Sequence, residues 1–500
     1  MNQNKFKRVW PIAMLVPVLA LGACSDGNGG ANSGTASSGG GGRAEGGTWT
    51  GTITMYAQAY TPNAKNISGI QAEQKMLATL AEAYEAEHPG IDIQFVDEEF
   101  KDYTQTVRVK AAAGEMFDVF WGQWADLNGT LPKGIAVDLT PYLNAPNPYL
   151  PDQDKWVDAM NETVVNETVA PGGEHYNING DYVATAFFYN KDLFEQAGIE
   201  ELPTTWNELL ALAAQLQEAG IVPMSQAPDY GWFQRHFLSD FYAEEYDTIA
   251  GFDEAPGVSS KDEAVAIHKG ILSTGDERLM AWWPIFKTFT DTWKPDYLTA
   301  DVAVVTETAR NDFLAGKTAI FYDGSWVPNL ARDAQIQFEL GSFNFPILEP
   351  SVTPLTNGLD VSGAVGGPNA AFQFAVATKE ANKTMKEPGK LEAVIDWLHF
   401  IGTPGHVEQV VNENGTFVPT WPGTSPNAEM KELAEQSTQA LRVVSIGNSS
   451  ANLLKDIQRT FGLYLSGNIG LEEATESVQK ALDAAQNEYK TKNDIDFSAY

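Results

Sequence analysis

The chain has 500 residues, 43% of them apolar and 11% aromatic, which is enough for at least two domains with large cores. Its 66 acidic and 32 basic residues give a formal net charge of −34, which argues against nucleic acid and anionic lipid as partners. The single cysteine rules out an internal disulfide and is a poor basis for a zinc site.

The first 23 residues have the organisation of an export signal. A basic start precedes an apolar run at 9–21, and small residues lead up to Cys24. This order is typical of a secretory signal peptide and not of a membrane-spanning helix. A cysteine directly after the cleavage site resembles the bacterial lipoprotein signal, in which the thiol is acylated with a diacylglycerol. The alternative is an ordinary signal peptide with a chance cysteine.

Residues 24–47 are predicted to be a flexible tether. They are almost all Gly, Ser, Asn, Ala and Thr, a composition that cannot bury a core. As a random coil the segment reaches roughly 25 Å from its anchor. No later apolar run is long enough to cross a bilayer. We therefore expect an extracytoplasmic protein that is lipid-anchored to a bacterial cell membrane through Cys24.

Strands and helices alternate after residue 48. Side-chain alternation and β-branching predict three strands, at 52–56, 91–96 and 118–121. A helix that ends at His88-Pro89-Gly90 and another through 107–113 separate them. The order strand, helix, strand, helix, strand predicts an α/β fold with a parallel sheet covered by helices.

The second half of the chain continues the α/β pattern. Thr205 and Glu208 form a capping box, which begins a helix that Gly220 ends. A further strand is predicted at 318–322, before Gly324. Helical spacing also predicts helices around 391–398 and 453–461.

Several sequence motifs follow one another over nearly the whole predicted mature chain, at 83–91, 113–119, 188–198, 202–206, 313–320 and 324–326. The most specific is Phe188-Tyr189-Asn190-Lys191-Asp192-Leu193-Phe194, followed by Pro203-Thr204-Thr205-Trp206. Their order resembles the extracellular solute-binding proteins (family 1) of sugar ABC importers, the maltose-binding-protein-like group. Phe117 stands where a family motif has proline, which affects only the geometry of that turn.

The resemblance implies the two-lobed periplasmic-binding-protein fold of type II. Each lobe would be a mostly parallel sheet flanked by helices, with the ligand cleft between the lobes. By position, lobe one comprises 48–182 with 348–418, and lobe two comprises 183–347 with 419–500. Hinge crossings are expected near 179–185, 345–354 and 416–422. Open α/β sheets generally bind ligands at the carboxyl ends of their strands.

The resemblance also implies a function. The protein would be the substrate-binding lipoprotein of an ABC importer, which captures a sugar or oligosaccharide by hinge closure and delivers it to a membrane permease. The expected partners are the sugar, the ABC permease subunits and, through the lipid, the membrane. Nucleic acid is not an expected partner, no cofactor or metal is expected, and the protein should be a monomer.

Residues that could hold a sugar are concentrated at predicted strand ends and crossings. A sugar needs flat aromatic surfaces for its C–H faces and polar groups for its hydroxyls, each of which costs about 1–3 kcal/mol if it is buried unpaired. The candidates that meet these needs are Gln58, Tyr60, Trp121, Gln123, Trp124, Tyr182, Tyr230, Trp232, Trp326 and Gly366.

Each candidate in the first half has a structural alternative. One of Trp121 and Trp124 could belong to the core and the other to a lobe surface. Gln58 and Tyr60 match a contact loop of the family, but they could equally form a plain surface loop. Tyr182, at the first crossing, could line the cleft or pack in the hinge.

The candidates in the second half are weighed in the same way. Trp326 matches the stacking tryptophan of the family, whereas Trp232 could be a core anchor. The glycine-rich segment 362–367 would let backbone approach a ligand closely, or it is an ordinary turn. A further group of tryptophans has no motif context and is predicted to pack in the core: Trp282, Trp283 and Trp293.

No catalytic motif is complete, so the chain is not expected to be an enzyme. Lys317-Thr318 follows Gly316, but Asn311 stands where a phosphate-binding loop requires its first glycine. Neither a Gly-x-Ser-x-Gly elbow nor a His-Glu-x-x-His pair occurs in the predicted mature chain. Two alternatives stay open: a secreted hydrolase with a carboxylate pair among the many acidic residues, and a binding protein for a non-sugar solute such as a compatible solute or peptide.

Overall fold

A computed structural model of the chain describes residues 49–62, 74–98, 100, 102–124, 126–127, 131–170, 172–253, 257–298, 302–368, 370–434, 442–450 and 452–500. The predicted signal, Cys24 and the predicted tether lie outside these residues. Within the ranges described, every helix is too short or too polar to span a bilayer.

The strands, in chain order, are β1 (Gly51–Tyr56), β2 (Ile91–Phe95), β3 (Val119–Trp121), β4 (Ile178–Asn179), β5 (Asp181–Tyr182), β6 (Thr185–Asn190), β7 (Ile320–Gly324), β8 (Leu340–Phe343), β9 (Gln373–Val376) and β10 (Val418–Pro419). The first three predicted strands are confirmed to within a residue at either end. The strand predicted at 318–322 begins and ends two residues later, as β7.

The helices, in chain order, are α1 (Met76–Glu87), α2 (Tyr103–Ala113), α3 (Thr140–Leu143), α4 (Glu162–Thr168), α5 (Lys191–Gln196), α6 (Trp206–Glu218), α7 (Tyr230–Phe241), α8 (Tyr246–Ile249), α9 (Ser260–His268), α10 (Glu277–Thr290), α11 (Val302–Leu314), α12 (Val327–Asp333), α13 (Lys390–Ile401), α14 (Pro404–Asn414), α15 (Lys431–Ala434), α16 (Leu453–Leu465) and α17 (Leu471–Asn493). The predicted capping box of α6 is confirmed. The Thr205 hydroxyl accepts the Glu208 N–H at 3.4 Å, and the Glu208 carboxylate accepts the Thr205 N–H at 3.1 Å.

The larger sheet formed by the described strands has the order β2-β1-β3-β9-β4 and is called here the β1 sheet. Strand β1 pairs in parallel with both β2 and β3. Strand β9 pairs antiparallel with both β3 and β4, so among these strands β9 alone runs in the opposite direction. The parallel part is the one that the strand–helix–strand order of the sequence predicted.

The second sheet, called here the β6 sheet, has the order β7-β6-β8. Strand β6 is antiparallel to both neighbours, so β7 and β8 share one direction. Parallel bridges between Met224 and Ile320, and between Thr205 and Ile347, continue that direction on either side. The α/β class is confirmed for both sheets. The reversal of β6 and β9 was not predicted, and both strands directly follow a segment that crosses between the sheets.

Each sheet has its own hydrophobic core. The core on the β6 sheet is rich in aromatic residues from α6, α7 and α10, and it includes Trp282, Trp283 and Trp293, as predicted. The core on the β1 sheet is built around Ile53 and Met55 of β1 and Trp397 of α13. Two separate cores leave each sheet free to keep its own packing if the connection between them bends.

An antiparallel ribbon connects the two sheets and is called here the crossing ribbon. It is formed by β5 and β10, with Tyr182 opposite Val418 and Asp181 opposite Pro419. These strands fall within two of the crossings predicted from the sequence, near 179–185 and 416–422. Val183 continues the ribbon toward β6.

A third connection runs through Gly366 and Gly367 beside the ribbon, later than the crossing predicted near 345–354, because Val361 still packs in the core on the β6 sheet. Val183 and Gly367 exchange backbone hydrogen bonds, each 3.0 Å long. Gly366 has a φ of 104°, and a Cβ at this position would lie 2.1 Å from the Val183 carbonyl oxygen. Only glycine therefore fits this close approach of two backbones.

Candidate functional site

The carboxyl end of β3 carries three of the predicted site residues, and one buried amide organises them. Gln373 of β9 is 0% exposed. Its side-chain oxygen accepts the Trp124 N–H at 2.9 Å, and its backbone oxygen accepts the Gly122 N–H at 2.8 Å. Its side-chain nitrogen donates to the Ala370 carbonyl at 2.7 Å. This surface, formed by Trp121, Gly122, Gln123, Trp124 and Gln373, is called here the amide face.

Further neutral contacts hold the tryptophans of the amide face. The Trp121 indole N–H donates to the Ala370 carbonyl at 3.3 Å, and the Tyr103 hydroxyl donates to the Trp121 carbonyl at 2.8 Å. The Asn177 amide donates to the Gly122 carbonyl at 2.7 Å. The Trp124 indole N–H is buried and has no hydrogen-bond partner among the residues described. Both tryptophans are partly buried, so each leaves some ring surface open.

Two other predicted residues, Trp232 and Trp326, meet at the carboxyl end of β7. Their ring centroids lie 6.1 Å apart with an interplanar angle of 62°. Trp232 lies in the first turn of α7, where the Asp229 carboxylate accepts its backbone N–H at 3.2 Å. Trp326 follows the end of β7 and precedes α12. Both side chains are only partly buried, so their rings form an open aromatic corner.

Charged groups surround this aromatic corner. Asp323, at the end of β7, is buried and accepts a hydrogen bond from Arg310 Nη2 at 3.1 Å. Burial raises the pKa of Asp323, and Arg310 acts in the opposite direction. Burial also raises the pKa of Asp229, against the effect of Arg235. The surface formed by Asp229, Trp232, Arg235, Asp323 and Trp326 is called here the charged face.

A buried hydrogen-bond chain connects the charged face to the crossing. The Trp232 ring packs edge-on against Tyr322 at 6.1 Å, and the Tyr322 hydroxyl lies 2.6 Å from His236 Nε2 and 2.8 Å from Thr185 Oγ1. His236 Nδ1 lies 2.8 Å from the Val361 carbonyl. Burial lowers the pKa of His236 to about 3, so the ring is neutral and Nδ1 carries its proton.

Three predicted site residues lie at or beside the crossing. Tyr60 is buried, and its hydroxyl donates to Asp181 of the crossing ribbon at 2.5 Å. Tyr182 is also buried, with its hydroxyl 3.5 Å from the Gly363 carbonyl. Gly366 is packed against Val183, as described above. Their predicted contact with a ligand stays a prediction.

Two further predicted site residues, Gln58 and Tyr230, lie neither on the two faces nor at the crossing. Gln58 follows β1 with a φ of 50°, and its side-chain oxygen accepts the backbone N–H of Ala59. Tyr230 is 1% exposed and packs in the core with Trp282, Trp283 and Phe461, beneath the charged face. The structure therefore does not bring Tyr230 to the surface on which Trp232 lies.

Sequence reasoning missed Gln373, Arg235 and Leu454. Gln373 is about 250 residues away from the tryptophans that it holds, and no local signal connects them. Arg235 could have been found, because it follows Trp232 by three residues in a helix and such residues share a face. Leu454, at the start of α16, is 37% exposed and lies against Gly231 of α7.

Other features of the described residues lie apart from both faces. No cluster of three or more His, Cys, Asp or Glu side chains among them is placed to hold a metal ion. A cavity of about 700 Å³ lies between α12 and β8, lined by residues that include Phe188, Pro328, Arg332 and Leu340. None of the predicted site residues lines it.

Two α/β lobes with separate cores, connected by crossing strands, define the class of two-lobed solute-binding proteins. A solved structure of the same fold is the cyclic alpha-maltosyl-1,6-maltose binding protein from Arthrobacter globiformis, with a TM-score of 0.60, 16% identity, and coverage of 88% of this chain and 99% of that one. The chain belongs to the bacterial extracellular solute-binding protein family, whose model matches residues 68–406. The predicted family and fold are thereby confirmed.

Curated relatives agree with this assignment. A protein of Brucella abortus (strain 2308), described as a binding protein, is 33% identical over 202 residues, or 39% of this chain. That match covers 45% of the relative, so the chain spans about half the length of this relative. The multiple sugar-binding protein of Streptococcus mutans serotype c is 24% identical over 363 residues, which are 68% of this chain and 74% of that protein.

Proposed function

We propose that this protein is the substrate-binding component of an ABC importer, and that it captures a sugar or oligosaccharide and delivers it to a membrane permease. The observation that carries the proposal is the pairing of open tryptophan rings with fixed polar groups at the carboxyl ends of both sheets. Aromatic rings bind the C–H faces of a sugar, and the polar groups bind its hydroxyls. The names of the Streptococcus mutans and Arthrobacter globiformis proteins, both sugar binders, support this ligand class.

The proposed mechanism is capture by closure. The amide face, on the β1 sheet, would contribute Trp121, Gln123 and Trp124, and the charged face, on the β6 sheet, would contribute Trp232 and Trp326. A ligand that bridges both faces would favour a closed state, as the crossing ribbon bends. The bias between open and closed states is expected to be a few kcal/mol, so that the transporter distinguishes loaded from empty protein.

The remaining predicted residues have secondary places in this proposal. Tyr182 and Gly366 lie at the crossing, where closure would bring the two faces together. Gln58 and Tyr60 follow the carboxyl end of β1, next to the amide face. Tyr230 lies one layer below the charged face and would act by supporting Trp232.

The proposed location follows from Cys24. We propose that its thiol carries a lipid anchor and that the mature protein is an extracytoplasmic monomer held near its permease. Stable anchoring takes two or more acyl chains. Replacing Cys24 by Ser should move the protein from the membrane fraction to the soluble extracytoplasmic fraction, with its sugar binding intact. A Cys24→Ser variant that stays in the membrane fraction would contradict the anchor.

The ligand proposal is tested by thermal shift and calorimetry with mono- and oligosaccharides. The variants are Trp121→Ala and Trp326→Ala, with Trp49→Ala as control, since Trp49 lies at the amino end of β1, away from both faces. Loss of one stacking ring should weaken binding about tenfold. The control should bind like the wild type.

Three results would count against the proposal. Unchanged affinity in both Trp121→Ala and Trp326→Ala would refute the site as described. Ligand-induced stabilisation by a peptide or quaternary amine, but by no saccharide, would favour a different solute. New reducing ends after incubation with an oligosaccharide would identify a hydrolase instead of a binding protein.

A further inference from the structure

Arg235 lies on the open side of α7. Residues 231, 232 and 235 of this helix are partly buried, whereas those on the opposite side are buried in the core. Helical side chains lean toward the N-terminus of the helix. The Arg235 side chain therefore leans over the turn that contains Gly231, next to Trp232 and toward Asp229 at the helix start.

The guanidinium of Arg235 has unused donors. It forms no hydrogen bond and no close ion pair with any residue that the structure describes, and its nitrogens are not sealed from solvent. Burial nevertheless lowers the pKa of Arg235, which indicates partly desolvated surroundings, while Asp229 raises it. A guanidinium has five N–H donors, and leaving them unpaired where water is scarce is unfavourable. Arg310, by contrast, is paired with Asp323.

The surface beside this guanidinium is apolar. A Cβ on Gly231 would lie 3.5 Å from Leu454 Cδ2, so Leu454 covers the bare glycine and is itself 37% exposed. Trp232 and Trp326 lie along the other edge. Small-molecule sites are usually lined by apolar side chains with a few polar groups that point toward the ligand, and this surface has that composition.

We infer that Arg235 is a ligand-binding residue, and that together with Asp229 it selects a neutral saccharide with hydroxyl groups on adjacent carbons. The fork of a guanidinium presents two parallel donors, which fit two neighbouring oxygen atoms. The Asp229 carboxylate can accept a hydrogen bond from a hydroxyl group of the same ligand. Because the two charges cancel, the pair favours a neutral sugar over a uronate. This inference deepens the proposed function and rests on it.

The test compares Arg235→Gln with a matched control, Arg459→Gln. Arg459 lies in α16 and is exposed to solvent. Maltotriose, raffinose and trigalacturonate are titrated into the full chain and both variants by calorimetry, and the melting temperature of each ligand-free protein is recorded. Each neutral saccharide that binds the wild type should bind Arg235→Gln at least tenfold more weakly, the usual loss for a hydrogen bond to a charged group. The ligand-free melting temperature should change little, because the guanidinium loses no hydrogen bond and only its electrostatic attraction to Asp229.

The outcomes separate this inference from the proposed function. If Arg235→Gln binds as tightly as Arg459→Gln, the inference fails and the proposed function stands. A large drop in the ligand-free melting temperature of Arg235→Gln would show a structural role and overturn the inference. Preference of the wild type for trigalacturonate would overturn the neutral class. If the protein binds none of the three probes and no other saccharide, the proposed function fails and the inference fails with it.

Discussion

The amide face and the charged face present tryptophans in similar positions but hold them by different chemistry. On the amide face, Gln373 holds the tryptophan segment through neutral hydrogen bonds of 2.8 and 2.9 Å. On the charged face, the tryptophans lie among Asp229, Arg235 and Asp323, and the last is held by Arg310. One sheet edge thus relies on amides, and the other relies on partly desolvated charges.

This difference predicts different sensitivities for the two faces. A network of neutral amides does not titrate, but every buried group in it must have a partner, because an unpaired one costs about 1–3 kcal/mol. A face with buried charges responds to pH and to the charge of its ligand. The amide face should therefore fix shape, while the charged face should determine which ligands are accepted.

The largest effect is expected from a charge placed in the amide face, as in Gln373→Glu. A buried carboxylate facing the Ala370 carbonyl would cost about 3–5 kcal/mol of unfolding free energy at pH 8. Burial raises the pKa of such a group above its unfolded value, so stability is kept at low pH and lost as pH rises through the folded pKa. Urea denaturation at pH 5 and pH 8 measures the difference. A loss of the same size at both pH values would mean that the change disrupts shape and not charge.

A smaller effect is expected from removing a charge on the other face, as in Asp323→Asn. Asp323 holds Arg310 at 3.1 Å and contacts the Trp326 side chain. The neutral amide weakens both contacts, so sugar affinity should fall roughly tenfold in calorimetry. The matched control is Asp312→Asn, which removes a similar pair with Lys317, at 2.7 Å, away from both faces. If both variants lose affinity equally, the charged face has no special role.

Local sequence features predicted some of the strands and helices and selected the tryptophans that lie on both faces. The strand at 52–56, the capping box of Thr205 and the core position of Trp282 were found because alternation, capping chemistry and the absence of a motif are local properties. Trp232 and Trp326 were both chosen as candidates, and the structure brings their rings to 6.1 Å from each other. Their contact with a ligand stays a prediction.

What the sequence did not predict depends on contacts between distant segments. Gln373 supports Trp124 although the two lie far apart in the chain. The reversal of β6 and β9 depends on where the chain crosses between sheets, which no local pattern specifies. Tyr230 was selected together with Trp232, but the helical turn directs it into the core.

The smallest effect is expected from Glu167, which lies on α4. Burial raises its pKa to about 7 from an ordinary value of 4.5, and it forms no hydrogen bond with any described residue. Burial raises the pKa of Tyr182 on the crossing ribbon and of Tyr246 in α8, and the charge of Glu167 adds to both shifts. Glu167 is therefore a charged group without a hydrogen-bonding partner near the proposed hinge.

Replacing Glu167 by Gln should stabilise the protein, but only above a certain pH. Because the folded pKa lies above the unfolded value, the protonated wild type is stable below about pH 4.5 and loses this stability as pH rises through about 7. Melting curves of Glu167→Gln and wild type should coincide at pH 4.5 and separate by about 1 kcal/mol at pH 8, after allowance for partial exposure. Since the neutral amide is close in shape, a constant offset at all pH values would indicate altered packing. A separation that grows toward low pH would contradict the sign of the shift, because it would mean that the fold favours the charged carboxylate.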